Sequence, residues 1–180
     1  MAKPKRIYEA VTKEQFKKLV EHTKKPVHKI CFILAYGAGL RISEVSNLQK
    51  EDIDLDSHKI FLRQAKGQKD RVVNTPKWLK RAHLKYFPVK IGERAINKAF
   101  HRMSMKAGFN SVLYIDKAGM PRYKYKFHSL RHSFATRAIE KGVPINQVQL
   151  LLGHENLSTT NRYTKANPSD AIQSILDLDV

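Results

Sequence analysis

Ile53-Asp54-Leu55-Asp56-Ser57-His58-Lys59-Ile60-Phe61-Leu62-Arg63-Gln64-Ala65-Lys66-Gly67-Gln68-Lys69-Asp70-Arg71-Val72-Val73-Asn74-Thr75 breaks the helical spacing of the rest of the chain. Residues 53–55, 59–64 and 71–75 read as three short strands, rich in β-branched and aromatic side chains. Asp56-Ser57-His58 and Lys66-Gly67-Gln68-Lys69-Asp70 supply the polar turns between them. Connections this short predict a small antiparallel meander. Pro76 closes it and predicts the first turn of a helix carrying Trp78 and Leu79.

Outward from this insert, apolar residues recur at helical spacing in both directions. Upstream, Thr12-Lys13-Glu14-Gln15 is a capping box, with Val11 and Phe16 placed as its hydrophobic staple. Pro26 opens a second, mostly apolar helix that Gly37-Ala38-Gly39 ends, and Ser43 is the expected cap of the helix after it. Downstream, helices are expected around 95–107, from Leu130 to Gly142, from Pro144 to Leu152, and from Ser158 through Tyr163. Ala171, Ile172, Ile175 and Leu176 put an apolar stripe on a tail helix over 167–180. The fold expected is α+β and mainly α: one helical domain over 1–180, with a three-stranded antiparallel sheet in its N-terminal third and a basic arm over 1–11.

Composition bounds the function. The chain has 180 residues and 42% apolar content, enough for one filled core. Cys31 is the single cysteine and sits among Ile30, Phe32, Ile33 and Leu34, which makes it a core thiol with no internal disulfide to form. No apolar run reaches membrane-spanning length and the N-terminus carries no apolar signal stretch, so a cytoplasmic, nucleoid-associated location is expected. Lys and Arg outnumber Asp and Glu by 34 to 16, a net charge of +18. That imbalance points to a polyanion, and double-stranded DNA is the favoured partner.

Several side chains could act together on a phosphodiester. Cleaving one with a side-chain nucleophile needs donors on the non-bridging oxygens, a route for the nucleophile's proton, and a proton for the leaving oxygen. Arg41 follows the double-glycine turn, and a guanidinium offers a planar fork to two oxygens. Arg131 lies three residues after His128, so both share a face at a helix start, where an anion is favoured. Lys66 sits at the tip of the predicted hairpin and could protonate a leaving oxygen, with Lys69 as its competitor. His154 directly follows Gly153. Tyr163 lies among Ser158, Thr159, Thr160, Asn161, Arg162 and Thr164, without apolar partners at helical spacing, so its hydroxyl reads as presented. His128, His132 and His154 also suggest zinc, but Ser129 stands where a metalloprotease helix needs glutamate, so neither metal nor cofactor is expected.

Gly39-Leu40-Arg41-Ile42-Ser43-Glu44, Ala65-Lys66-Gly67, His128-Ser129-Leu130-Arg131-His132-Ser133-Phe134-Ala135-Thr136, Leu151-Leu152-Gly153-His154 and Thr159-Thr160-Asn161-Arg162-Tyr163-Thr164 together resemble the motifs of the tyrosine recombinase (phage integrase, Xer-like) family, in family order. The resemblance implies a catalytic domain whose Tyr163 forms a 3′-phosphotyrosine link. Arg41 and Arg131 would then hold the scissile phosphate, and His128 would assist proton transfer. His154 would donate to a non-bridging oxygen, Lys66 would be the general acid, and Glu44 would support the site. Neither ATP nor metal is implied, because the protein–DNA link conserves the bond energy. Family members usually carry a further N-terminal helical domain that grips DNA, and none is expected within these residues.

Further DNA contacts are expected from Lys69, Arg71 and Arg162, and from Arg122, Lys124 and Lys126. The last three belong to Arg122-Tyr123-Lys124-Tyr125-Lys126-Phe127, where basic and aromatic residues alternate at strand period. A strand that packs its aromatics inward and leaves its charges in solvent is the competing reading. The tail suits self-association in a tetrameric synapse on DNA, or equally folding back on its own domain. Two other functions fit parts of the sequence. One is type IB topoisomerase chemistry. The other is a helix-turn-helix regulator built from 144–152 and 158–164, which leaves Arg41, Lys66, His128 and Arg131 unexplained.

Overall fold

The computed structural model describes residues 9–63, 70–153 and 168–176. Its centre is a helix that has no solvent face beyond its first turn. α1 (Lys13–His22) leads into α2 (Pro26–Ala38), and every residue from Ile30 to Ala38 in α2 is buried. A helix apolar all round needs neighbours on all sides. α2 has them in α1, α3 (Ile42–Asn47), α4 (Glu93–Lys106) and α5 (Phe127–Glu140). Phe32 meets Phe100 of α4 edge-on at 5.8 Å, and Phe16 of α1 stacks on Tyr36 at 3.7 Å. Cys31 lies fully inside, and burial pushes its thiol up to about 12.

Local signals set most element ends. Thr12 accepts from the Gln15 amide while Gln15 accepts from the Thr12 amide, the reciprocal capping box read in the sequence. Gly39 ends α2 at φ +67°, a conformation in which an L side chain is strained. There is also no room for one, since a Cβ would lie 2.7 Å from Phe134 and 2.9 Å from Leu152.

The meander forms as β1 (Ile53–Asp54), β2 (Lys59–Leu62) and β3 (Arg71–Asn74), paired antiparallel in that order. Ile60 faces Val73 across the ladder and both are fully buried, while Phe61 points outward. Its inner face receives α6 (Ile145–Leu152) and α7 (Pro168–Leu176) against β3. α7 buries Ala171, Ile172 and Ile175, so the apolar stripe of the tail rests on its own domain. Among the described residues no helix is long and apolar enough to cross a membrane.

Four local expectations change. Ser43 lies within the first turn of α3 instead of capping it; Arg41 is the cap residue, and its amide donates to the Glu44 carboxylate at 2.7 Å. The stretch after Pro76 is a tight turn, Leu79 N–H to Pro76 O at 2.9 Å, followed by a 3-10 helix over Arg81–Tyr86. α5 begins at Phe127, three residues earlier than Leu130. The basic-aromatic stretch is half of a two-stranded ribbon, β4 (Val112–Ile115) with β5 (Pro121–Tyr123), and Val112-Leu113-Tyr114-Ile115 went unread as a strand. The strand stops at Tyr123 because Tyr125 and Phe127 turn into the core. At the other end, Val11 is buried and its amide donates to Ser133 Oγ at 2.6 Å, so the fold takes in the end of the expected arm.

Candidate active site

Three arginines from three elements meet at the C-terminal end of α6. A helix leaves its last carbonyls without intrahelical donors and carries partial negative charge there. Here each of three consecutive carbonyls accepts from a different arginine. Arg71 Nε donates to Leu151 O at 2.7 Å, Arg131 Nη2 to Leu152 O at 2.5 Å, and Arg41 Nη2 to Gly153 O at 2.8 Å. Gly153 closes the helix at φ +64°, with Arg71 packed where a side chain would begin. His154 is the next residue in the chain.

One carboxylate sits among the three. Glu44 Oε1 accepts from Arg41 Nη1 at 3.0 Å and Arg71 Nη1 at 2.8 Å. Its Oε2 accepts from the Arg41 amide at 2.7 Å and Arg71 Nη2 at 2.9 Å. Arg131 Nη1 lies 3.8 Å from Oε2 and donates instead to Gly39 O at 2.6 Å. Among the described residues, three guanidinium charges against one carboxylate leave an excess of positive charge. The excess is felt most by Arg131, whose side chain is 5% exposed. Burial, then repulsion from Arg41, pushes it down to about 10, with Arg71 adding to the repulsion and Glu44 opposing it. An anion at this spot would offset the repulsion that Arg131 meets.

The predicted residues separate into those brought together and those not. Arg41, Glu44 and Arg131 converge, although Arg131 lies 92 residues from the Gly39 carbonyl that it holds. His128 is exposed in the first turn of α5, one turn from Arg131. Lys66, Lys69, His154, Arg162 and Tyr163 fall outside the described residues, as does the second half of the helix-turn-helix reading. Arg71 points inward, its side chain 9% exposed. Arg122 is braced by Asp116 through its Nε at 2.7 Å, and Lys124 pairs with Glu9 at 2.8 Å. Lys126 is the cap residue of α5. A cleft of about 400 Å³ opens beside Arg41 and Glu44, walled by Asn47, Asp52, Phe61 and Arg63.

The inward turn of Arg71 had a signal in the sequence. Residues two apart on a strand share a face. Arg71 therefore lies on the face of buried Val73, and across the ladder it faces buried Leu62. The carbonyl acceptors had none, because backbone groups carry no residue type.

Residues 9–170 match the phage integrase family. The chain belongs to that family. Among the integrases and recombinases that it matches, tyrosine recombinase XerA of Thermococcus kodakarensis is 41% identical over 173 residues, 90% of this chain and 60% of that protein. XerA of Pyrococcus horikoshii is 36% identical over 180 residues, 96% of this chain and 62% of that protein. This integrase-family chain thus spans about 60% of the length of those relatives. The integrase from mycobacterium phage Brujita has the same fold, with a TM-score of 0.70 at 20% identity over 99% of this chain and 60% of that one. A XerA recombinase crystal structure gives 0.65 at 24% identity, over 97% of this chain and 65% of that one.

Proposed function

We propose that this chain is the catalytic domain of a site-specific recombinase that cuts and rejoins double-stranded DNA through Tyr163. The observation that carries the proposal is the meeting of Arg41 and Arg131, from distant parts of the chain, on the carbonyls just before His154. Arg131 is fixed by two carbonyl bonds and by burial, so its remaining donors are aimed before any phosphate arrives. Such preorganisation lowers the reorganisation needed as charge builds on the non-bridging oxygens. A helix-turn-helix regulator has no use for two arginines held in this way.

In the proposed reaction the Tyr163 oxygen bonds to phosphorus as the bond to the 5′-oxygen breaks. The phenol proton leaves with help from His128. Lys66 gives a proton to the departing 5′-oxygen, and His154 with Arg41 and Arg131 holds the non-bridging oxygens. A 5′-hydroxyl from a partner strand then reverses these steps and frees Tyr163. The names of the relatives, tyrosine recombinases, support this reading. One structural neighbour is a lambda integrase tetramer on a Holliday junction, at 19% identity and a TM-score of 0.59. Assembly of this chain through its tail would need α7 to leave α6 and β3 for the same seat on a neighbouring copy.

The test is a suicide substrate, nicked DNA carrying a candidate site or a pool of sequences. An adduct that survives denaturation, maps to Tyr163 and vanishes in Tyr163→Phe supports the mechanism. Binding without an adduct on a verified site overturns it. Joining of two marked sites, as opposed to relaxation of one plasmid, separates recombination from topoisomerase chemistry. Truncation after Asn167 with no loss of cooperative assembly on DNA refutes the role of the tail.

A further inference from the structure

We infer that Arg71 is a positioning residue, tying the strand that follows the Lys66 hairpin to the helix end that precedes His154, and that it makes no DNA contact itself. The inference rests on the proposed recombinase reading for its catalytic consequence, and on geometry alone for its mechanical one.

Arg71 opens β3, five residues after Lys66. Its planar fork covers both oxygens of Glu44, and its Nε holds Leu151 O. Three of its donors are therefore spent inside the protein, in a side chain 9% exposed. Arg41 differs: its side chain is 34% exposed and it spends only one guanidinium donor on Glu44 and one on Gly153. Arg41 keeps three of its five N–H groups for a phosphate, whereas Arg71 keeps two, on a fork already closed over both oxygens of Glu44.

The bonds of Arg71 reach three separate elements. Glu44 belongs to α3, Leu151 lies in the last turn of α6, and Arg71 itself is the first residue of β3. Through Glu44 it also fixes the amide that begins α3, the Arg41 N–H. Remove the fork and Glu44 loses two of its short donors, while the first of the three carbonyls at the end of α6 loses the donor that Arg71 supplies. The residues that would shift are the ones adjoining Lys66, Arg41 and His154. A lysine cannot replace this, because one ammonium cannot span two carboxylate oxygens and a carbonyl in one plane.

The experiment compares wild type, Arg71→Lys, Arg71→Gln and the double variant Arg71→Gln with Glu44→Gln, which leaves no uncompensated buried carboxylate if the single change fails to fold. Two readouts are taken on the whole chain. Amide exchange over 148–153, without DNA, should rise in Arg71→Gln and in Arg71→Lys while exchange in α2 stays slow. On saturating nicked DNA, the single-turnover rate of adduct formation should fall by ~100-fold, the scale of a displacement of about 1 Å in a reacting site. DNA affinity and its salt dependence should stay at wild-type values.

Unchanged exchange over 148–153 overturns the positioning role. A saturated rate at the wild-type value, with affinity lost and the salt slope reduced by about one, makes Arg71 a phosphate contact instead. If wild type itself forms no adduct, the recombinase reading fails, and the exchange result still decides what Arg71 does.

Discussion

Replacing Gly39 with Ala should damage the fold and the candidate site together, and the cost can be built from the structure. Gly39 holds φ +67°, which costs an L residue about 1–2 kcal/mol. The new Cβ would sit 2.7 Å from Phe134 and 2.9 Å from Leu152, inside a packed core, and overpacking of that kind costs about 1–3 kcal/mol. Stiffening the unfolded chain returns about 0.4–1 kcal/mol. The net loss is about 2–4 kcal/mol, against a total stability of about 5–15 kcal/mol for a domain. Urea unfolding should show a lower midpoint at unchanged slope, and a melting temperature reduced by roughly 5–15 °C. Because the Gly39 carbonyl accepts from Arg131 and Leu152 is pressed by the new methyl, adduct formation should fall further than stability alone explains. A Gly39→Ala protein within about 0.5 kcal/mol of wild type would refute the reasoning, since neither the left-handed turn nor the close contact could then be real.

Glu44→Gln leaves three arginines facing a neutral acceptor and should cost about 3–5 kcal/mol in urea unfolding, the scale of a broken buried ion pair. Sulfate should stabilise the fold more than chloride at equal ionic strength, by about 1.4 kcal/mol at ten times its dissociation constant, read as a higher melting temperature. That gain should fade as pH rises through 10, because Arg131, held down to about 10, loses its proton in the folded protein first. By the same linkage the folded state, holding fewer protons than the unfolded one, gains stability from this group between pH 10 and the ordinary arginine range. Cys31 should resist thiol reagents in the native protein and react only on unfolding, since it is buried with its thiol pushed up to about 12. Arg122→Ala and Lys124→Ala should leave the salt slope of DNA binding unchanged, because each side chain is matched by a carboxylate of its own, whereas Arg41 shares Glu44 with two other arginines and Arg41→Ala should lower the slope by about one.

What the sequence by itself determined was local. The capping box at Thr12, the glycine stop at Gly39 and the alternation through Ile60 and Leu62 act over a few residues, where spacing and residue type are enough. The α2 helix was legible for the same reason, since an unbroken apolar run can only be an interior one. Expectations faltered where two local choices competed. Arg41 took the cap position that Ser43 was expected to fill because the Glu44 carboxylate reaches back to its amide, and Val112-Leu113-Tyr114-Ile115 carries no alternation because the whole strand is exposed.

Only the tertiary structure decided how the site is assembled. Arg41, Arg71 and Arg131 are all basic residues in a basic chain, and beyond the strand spacing that turns Arg71 inward nothing in the sequence says which faces solvent and which lies under it. Their fates diverge because the end of α6 offers three bare carbonyls and Glu44 offers one charge. Those acceptors are backbone groups and a side chain from far along the chain. Their meeting is fixed by the packing of α2 against α5 and of β3 against α6, which periodicity does not record.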